Sequence, residues 1–362
     1  RMSTEMSCGV TGFDFTKPRA ARVLFPFVEQ DGAWLSEGVA TYYQNVLRAR
    51  QGLLSERERG LLEEAAIFRG GFGQDAGGIA GATAELLHTL CEKSLLRRNR
   101  AGRYSFHTLV WQYARERLQV SGNLLAVAQR HSAYYLALAE RAAAQRHGHE
   151  QNEWLSSLDQ EHDNLRLALQ WSLDNAEIAM AARLGAALWW FWDLRGHFAE
   201  GRGWLTQIAA RSDELATIQR ARLLTGLGVL ELRHDNYTQA RDWLQQSLVL
   251  FRASDDRHGI AAALCYLGLL LHLQGHDPAA RGLLEESVSI SRVLGDSWSL
   301  ANALNNLGAI AQLALVLVLA FWDPARGGRE LAPFLVGIAA VVAATLWLAA
   351  TIGVATAAWR AV

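Results

Sequence analysis

The side chains able to do chemistry in this 362-residue sequence are few and scattered. Its only lysines, Lys17 and Lys93, stand outside any G-x-x-x-x-G-K-[ST] phosphate loop; Lys93-Ser94 follows Cys91-Glu92 and not a glycine cradle. Cys8, Cys91 and Cys265 are far apart and outside any C-x-x-C pattern, so they read as reduced thiols and not as a disulfide framework or zinc site. His147, His149 and His162 come nearest to a metal-binding set. His147-Gly148-His149 flanks a glycine turn, with no cysteine and no i, i+4 partner, and exposed loop histidines are the expectation. No G-x-S-x-G elbow and no glycine-rich dinucleotide turn occurs. These patterns predict a protein that is not an enzyme and that uses no cofactor or metal.

Two sets of polar residues point instead to binding. Arg97, Arg98, Arg100 and Arg103 cluster around Asn99-Arg100-Ala101-Gly102, a turn ahead of the alternating stretch Arg103 to His107. Such a cluster suits phosphate contact. Glu56, Glu58, Glu63 and Glu64 offset the charge nearby, and a solvated hairpin tip is the reading preferred over DNA binding. With a net charge of -1, no whole-chain pull toward nucleic acid or anionic lipid is expected.

The second set rides on a repeat. Leu227-Gly228, Leu267-Gly268 and Leu307-Gly308 recur every forty positions, each preceded one helical turn earlier by Leu224, Leu264 or Leu304. Twelve residues after the first two glycines come Ala240-Arg241 and Ala280-Arg281, then Trp243-Leu244 and Leu283-Leu284, then Ser247 and Ser287. Each period ends in an acidic turn, Asp255-Asp256 or Gly295-Asp296. A fixed period of this size holding two helical stretches predicts a solenoid of helix pairs, an architecture that presents a surface to a partner. The inner face of each first helix carries Arg222, Thr225 and Arg233, then Cys265 and His272, then Asn302 and Asn305, a candidate surface for a peptide or protein ligand. Trp189, Trp190, Trp192, Trp204 and Trp243 sit at helical spacings and are expected to pack in the core.

The fold class expected is mostly α, with five segments of different texture. Residues 1–54 end in a helix from Leu35 to Ala49. Residues 55–121 open on Ser55 and Glu58, a capping-box spacing, and alternate helices with one small hairpin. Residues 122–215 form a helical connector that ends in a degenerate first repeat, and residues 216–312 hold the recognisable repeats. In residues 313–362 the repeat pattern fails, and 331–359 carry no charged side chain, more than the roughly 20 apolar residues that cross a bilayer. That tail is a candidate transmembrane hairpin and membrane anchor. The opening Arg1-Met2 reads as the start of a fragment, and the joins near Leu53-Leu54 and Gln312-Leu313 are abrupt.

Two resemblances follow from particular strings. Trp34-Leu35-Ser36-Glu37-Gly38-Val39-Ala40-Thr41-Tyr42-Tyr43 resembles the second zinc helix of gluzincin metallopeptidases, which implies a ligand role for Glu37. That family also needs an H-E-x-x-H helix, and no histidine precedes His88, so the resemblance implies no activity. Residues 55–312 resemble the winged-helix and tetratricopeptide-like arm of bacterial signal-transduction ATPases with numerous domains. The resemblance rests on Ala66-Ile67-Phe68-Arg69-Gly70-Gly71-Phe72, Cys91 to Leu96, Gly102 to His107 and Trp111 to Leu118. It continues through His131-Ser132-Ala133-Tyr134-Tyr135, Glu161-His162-Asp163-Asn164-Leu165-Arg166 and Leu188 to Trp192.

This likeness implies a cytoplasmic sensing arm for residues 1–312 that binds a protein or peptide and works with a separate ATPase domain. A membrane-anchored scaffold and a DNA-binding regulator acting through the wing are the alternative readings.

Overall fold

The computed structural model describes residues 54–320, with side chains through residue 312. The gluzincin-like stretch and the charge-free stretch 331–359 of the apolar tail lie outside the described residues. Those described divide into two compact units, residues 54–141 with 152–176, and residues 142–151 with those from 177 onward. The division falls inside the stretch 122–215, which the sequence presents as one connector.

The first unit begins with α1 (Glu56–Ala65). The capping box forms as its spacing predicts: Ser55 Oγ accepts from the Glu58 N–H at 3.3 Å, and the Ser55 N–H donates to Glu58 Oε2 at 2.7 Å. Glu58 is buried beneath Lys93, whose Nζ lies 2.6 Å from Oε1. Burial alone would raise that carboxyl's pKa. The Lys93 ammonium and the Ser55 donors overcome it and hold the group below its usual value. The lone lysine of this region is therefore a structural ion-pair partner.

A turn through Gly70 and Gly71 leads to α2 (Gln74–Gly77), a 3-10 turn (Gly78–Ala80) and α3 (Ala84–Glu92). Strands β1 (Leu96–Arg98) and β2 (Tyr104–Phe106) pair antiparallel, with Arg97 opposite Ser105. Phe72 adds a bridge to Tyr104, its N–H donating to the Tyr104 carbonyl at 2.9 Å. Gly71 has φ +92°, and a Cβ there would sit 2.6 Å from the Tyr104 carbonyl oxygen, so both backbone angle and space require glycine. Helix α4 (Thr108–Val120) follows, then α5 (Leu124–Ala144), α6 (Gln151–Gln160) and α7 (His162–Asp174).

The second unit is the solenoid. Helices α8 (Ile178–Arg195) and α9 (Phe198–Ala209) form the degenerate pair. Then come α10 (Thr217–Arg233) with α11 (Tyr237–Ala253), and α12 (Arg257–Leu273) with α13 (Asp277–Leu294). Helix α14 (Ser297–Ala320) runs unbroken through Gln312-Leu313, so the expected join there falls within one helix. Among the described residues no helix is long and apolar enough to cross a membrane.

The forty-residue spacing has a steric cause. A Cβ on Gly228 would lie 2.7 Å from Leu244 Cγ and 3.3 Å from the Ala240 carbonyl oxygen; on Gly268 it would lie 2.6 Å from Leu284 Cγ and 3.3 Å from the Ala280 oxygen. Glycine on the first helix and alanine on the second let the pair close until the leucine seats on bare backbone. Ser247 and Ser287 are buried in the same crossings. Ser247 Oγ bonds Thr225 Oγ1 at 2.7 Å, and Ser287 Oγ donates to the Ala261 carbonyl at 2.8 Å. The acidic turns cap the next first helix: Asp256 Oδ1 accepts from the Gly259 N–H at 3.1 Å, and Asp296 Oδ1 from the Ser299 N–H at 3.0 Å.

At Gly308 no described atom lies within 4 Å of where a Cβ would be. Gly268→Ala should therefore destabilise the chain by about 1–3 kcal/mol through overpacking, whereas Gly308→Ala should not destabilise it, because alanine is the better helix former. Urea unfolding followed by circular dichroism checks both.

Candidate functional site

Each unit holds one group of polar residues with defined geometry. In the first unit, strings far apart in sequence converge on the turn 66–72. Asn164, fully buried on α7, accepts from the Arg69 N–H at 2.8 Å and donates Nδ2 to the Gly71 carbonyl at 3.1 Å and to Glu161 Oε2 at 2.8 Å. Tyr135 Oη donates to the same Glu161 oxygen at 2.8 Å. Arg103 ion-pairs with Glu161 Oε1 and also donates to the carbonyls of Gly71 (3.1 Å) and Gln160 (3.3 Å). Trp111 Nε1 donates to the Phe68 carbonyl at 3.3 Å. A buried carboxylate is stable here because both of its oxygens are met by donors, one of them a cation.

Arg103 is thus a corrected assignment. It lies beside the hairpin tip in sequence, yet its side chain is 14% exposed and committed to Glu161, so it is not presented to phosphate. Arg97, Arg98 and Arg100 are exposed, with the Arg98 guanidinium 5.7 Å from the Tyr104 ring centre. Arg98 and Tyr104 are direct cross-strand partners.

His131 lies beside this clamp, 4.6 Å from the Tyr135 ring and 3.5 Å from Asn164 Oδ1, and is almost wholly buried. Burial pushes its imidazole down to about 4; Asn164 opposes the shift and Arg115 adds to it.

In the second unit the residues predicted for a ligand surface divide by burial. Arg222 is exposed and reaches Asp256 Oδ2 at 3.4 Å, and Arg233 is exposed and grips Asp193 at 2.8 and 3.3 Å. The Asp193 carboxylate, outweighing burial, raises the Arg233 pKa above its ordinary value. Asn302 is half-buried and Asn305 exposed on α14.

Thr225 and Cys265, at equivalent repeat positions, are buried and cannot meet a ligand. Thr225 bonds Ser247 and the Ala221 carbonyl, and Cys265 Sγ accepts from Asn306 Nδ2 at 3.5 Å. Burial also pushes the Cys265 thiol up to about 11, against the Asn306 bond. His272 is half-buried, its Nδ1 2.7 Å from Asp277 at the start of α13, and serves the turn between paired helices.

The residue one position beyond Cys265 is half-buried. Tyr266 meets Trp189 edge-on at 6.1 Å between ring centres, and the Trp189 side chain covers Gly226, where a Cβ would lie 2.9 Å from it. Trp190 and Trp192 are core, as their spacing predicts. Tyr266 and Asp193 were missed because neither belongs to the repeat's periodic strings.

The loop histidines also part company. His147 stacks on Trp298 of α14, ring centres 3.6 Å apart and planes 17° from parallel. His149 lies 3.6 Å from Glu150. Among the described residues no group of three or more His, Cys, Asp or Glu is placed to hold a metal ion.

The tetratricopeptide-repeat family model matches residues 219–292, which span both complete helix pairs α10–α11 and α12–α13 almost entirely. These residues are tetratricopeptide repeats. Proteins named "Putative HTH-type transcriptional regulator" in Mycobacterium bovis and Mycobacterium tuberculosis are 31% identical over 288 residues, covering 73% of this chain and 32% of their own length. The chain therefore spans about a third of the length of these curated relatives.

Among solved structures, a signal-transduction ATPase with numerous domains and a tetratricopeptide sensor, from Pyrococcus horikoshii, is 13% identical with a TM-score of 0.35. That match covers 83% of this chain and 57% of the other. Kinesin-light-chain-like repeats from Podospora anserina are 16% identical with a TM-score of 0.39, covering 60% and 98%.

Two outcomes follow from the clamp. Arg103→Ala should cost about 3 kcal/mol by leaving Glu161 buried without its cation, while Arg97→Ala and Arg100→Ala should stay within about 0.5 kcal/mol, as read by urea unfolding. His131 binds its proton more readily when unfolded, so its contribution is full above about pH 6.5 and is lost as pH falls toward 4. Stability should drop by about 2 kcal/mol from this group between pH 7.5 and pH 5, and His131→Phe should flatten that part of the profile.

Proposed function

We propose that this chain is the sensing and partner-binding arm of a signal-transduction or transcriptional regulator, and that a peptide or protein seats on the concave face of its tetratricopeptide repeats. One observation carries the reading. Arg222, Arg233, Tyr266 and Asn305 stand on successive first helices, and the two arginines are already held by Asp256 and Asp193. A partner meeting side chains fixed in advance loses less conformational freedom on binding, which favours affinity and selectivity.

In this reading the helix-and-hairpin unit is a winged helix, made rigid by the Glu161 clamp, and it passes the bound state of the repeats to a separate ATPase domain. The protein acts by binding and not by catalysis, needs no cofactor of its own, and works in the cytoplasm. The names of the mycobacterial relatives support a regulatory role.

A photo-crosslinking amino acid placed at position 222 or 305 tests the face directly, with exposed Val249 on α11 as the outer-surface control. In lysate of the source cell, positions 222 and 305 should capture the same protein, at a yield at least about fivefold above position 249. Equal capture at all three positions, or capture at 249 alone, contradicts the proposal.

A further inference from the structure

The turn between α5 and α6 belongs to the solenoid unit, although its chain neighbours on both sides belong to the first. It is compact: Gly148 N–H donates to the Gln145 carbonyl at 3.0 Å, and Gln151 Nε2 closes on the Arg146 carbonyl. His147 lies flat on the Trp298 indole at the start of α14. Arg146, half-buried, sits within electrostatic reach of Tyr266 on α12, Arg222 on α10 and Asp296 at the head of α14. One short turn therefore addresses three successive first helices.

The fit is incomplete in a telling way. The Arg146 guanidinium donates to its own Ala143 carbonyl at 2.9 Å, and among the described residues its buried Nε has no hydrogen-bond partner and no carboxylate lies within ion-pair distance. Asp193 and Asp256 are already taken by Arg233 and Arg222, and Asp296 by Ser299 and His258. A partly desolvated cation without a carboxylate is a poorly satisfied occupant, and returning it to water recovers hydration.

We infer that the Gln145–Glu150 turn is an internal ligand of the concave site, and that the external ligand is a peptide presenting a cationic residue beside a planar ring, which binds by displacing it. This rests on the concave-face reading above and adds the chemistry of the occupant. The flat ring stacks on Trp298, and the cation enters beside Tyr266, where cation–π attraction is available. Displacement ties occupancy of the repeats to the chain leading from α5 to α6.

The probe is a synthetic peptide of residues 142–151, titrated calorimetrically into the whole chain. The variant carrying Arg146→Ala and His147→Ala should bind it at least about tenfold more tightly than the unaltered chain, and adding Trp298→Ala should abolish the gain. Equal affinity for both chains, or no binding to a double variant with native circular dichroism, would overturn the inference.

A second measurement does not depend on the double variant folding. The His147 ring protons of the unaltered chain, assigned with His147→Gln, should show an upfield ring-current shift that disappears in Trp298→Ala. An unshifted resonance would also overturn it. Failure of crosslinking at positions 222 and 305 in both chains would instead count against the concave face itself, whatever the peptide does.

Discussion

The repeats depend on one contact, made twice in the same geometry: a glycine of the first helix against a leucine of the second. Gly228 takes Leu244 and Gly268 takes Leu284 at distances that leave no room for a methyl group. Because the backbones close that far, Ser247 and Ser287 must also be small, and their hydroxyls must find partners across the crossing. The same close approach fixes the rotation of each first helix. That rotation buries Thr225 and Cys265, leaves Arg222 and Arg233 exposed and half-buries Tyr266. Which side chains of the first helices stay exposed is a consequence of the packing rule in the core.

The first unit is organised differently, around a charge. Glu161 is buried, and its oxygens are met by Arg103, Tyr135 and Asn164. Asn164 in turn holds the backbone on both sides of Gly70. A fully satisfied buried network of this kind specifies one arrangement of the hairpin against α5 and α7, since any slip strands a carboxylate. The turn's two glycines, both at positive φ, allow carbonyls and amides to be aimed at side chains and not at each other.

Much of this was legible in the residues. The capping box at Ser55, the hairpin around Gly102 and the helix pairs from Thr217 to Leu294 follow from spacing and turn chemistry, because each is decided within a few residues or by a strict period. What escaped was decided by helical phase and by long-range pairing. Thr225 and Cys265 are polar enough to suggest a surface, yet their helical phase puts them in the core. Arg103 stands among arginines in sequence, but its partner Glu161 is fifty-eight residues away. His147 is an exposed loop histidine, as its setting predicts, but it is not without a ring partner. Its stack on Trp298 spans the whole length of the repeats in sequence, and no local pattern encodes it.

The central claim is that recognition occurs on the inner face of the first helices. Hydrogen exchange read by mass spectrometry, on the chain alone and with the protein it captures from the source cell, tests it most directly. The account predicts slowed exchange in α10, α12 and the start of α14, with faster exchange in residues 142–151 as the turn is released. Slowed exchange confined to α11 and α13, with residues 142–151 unchanged, would contradict it.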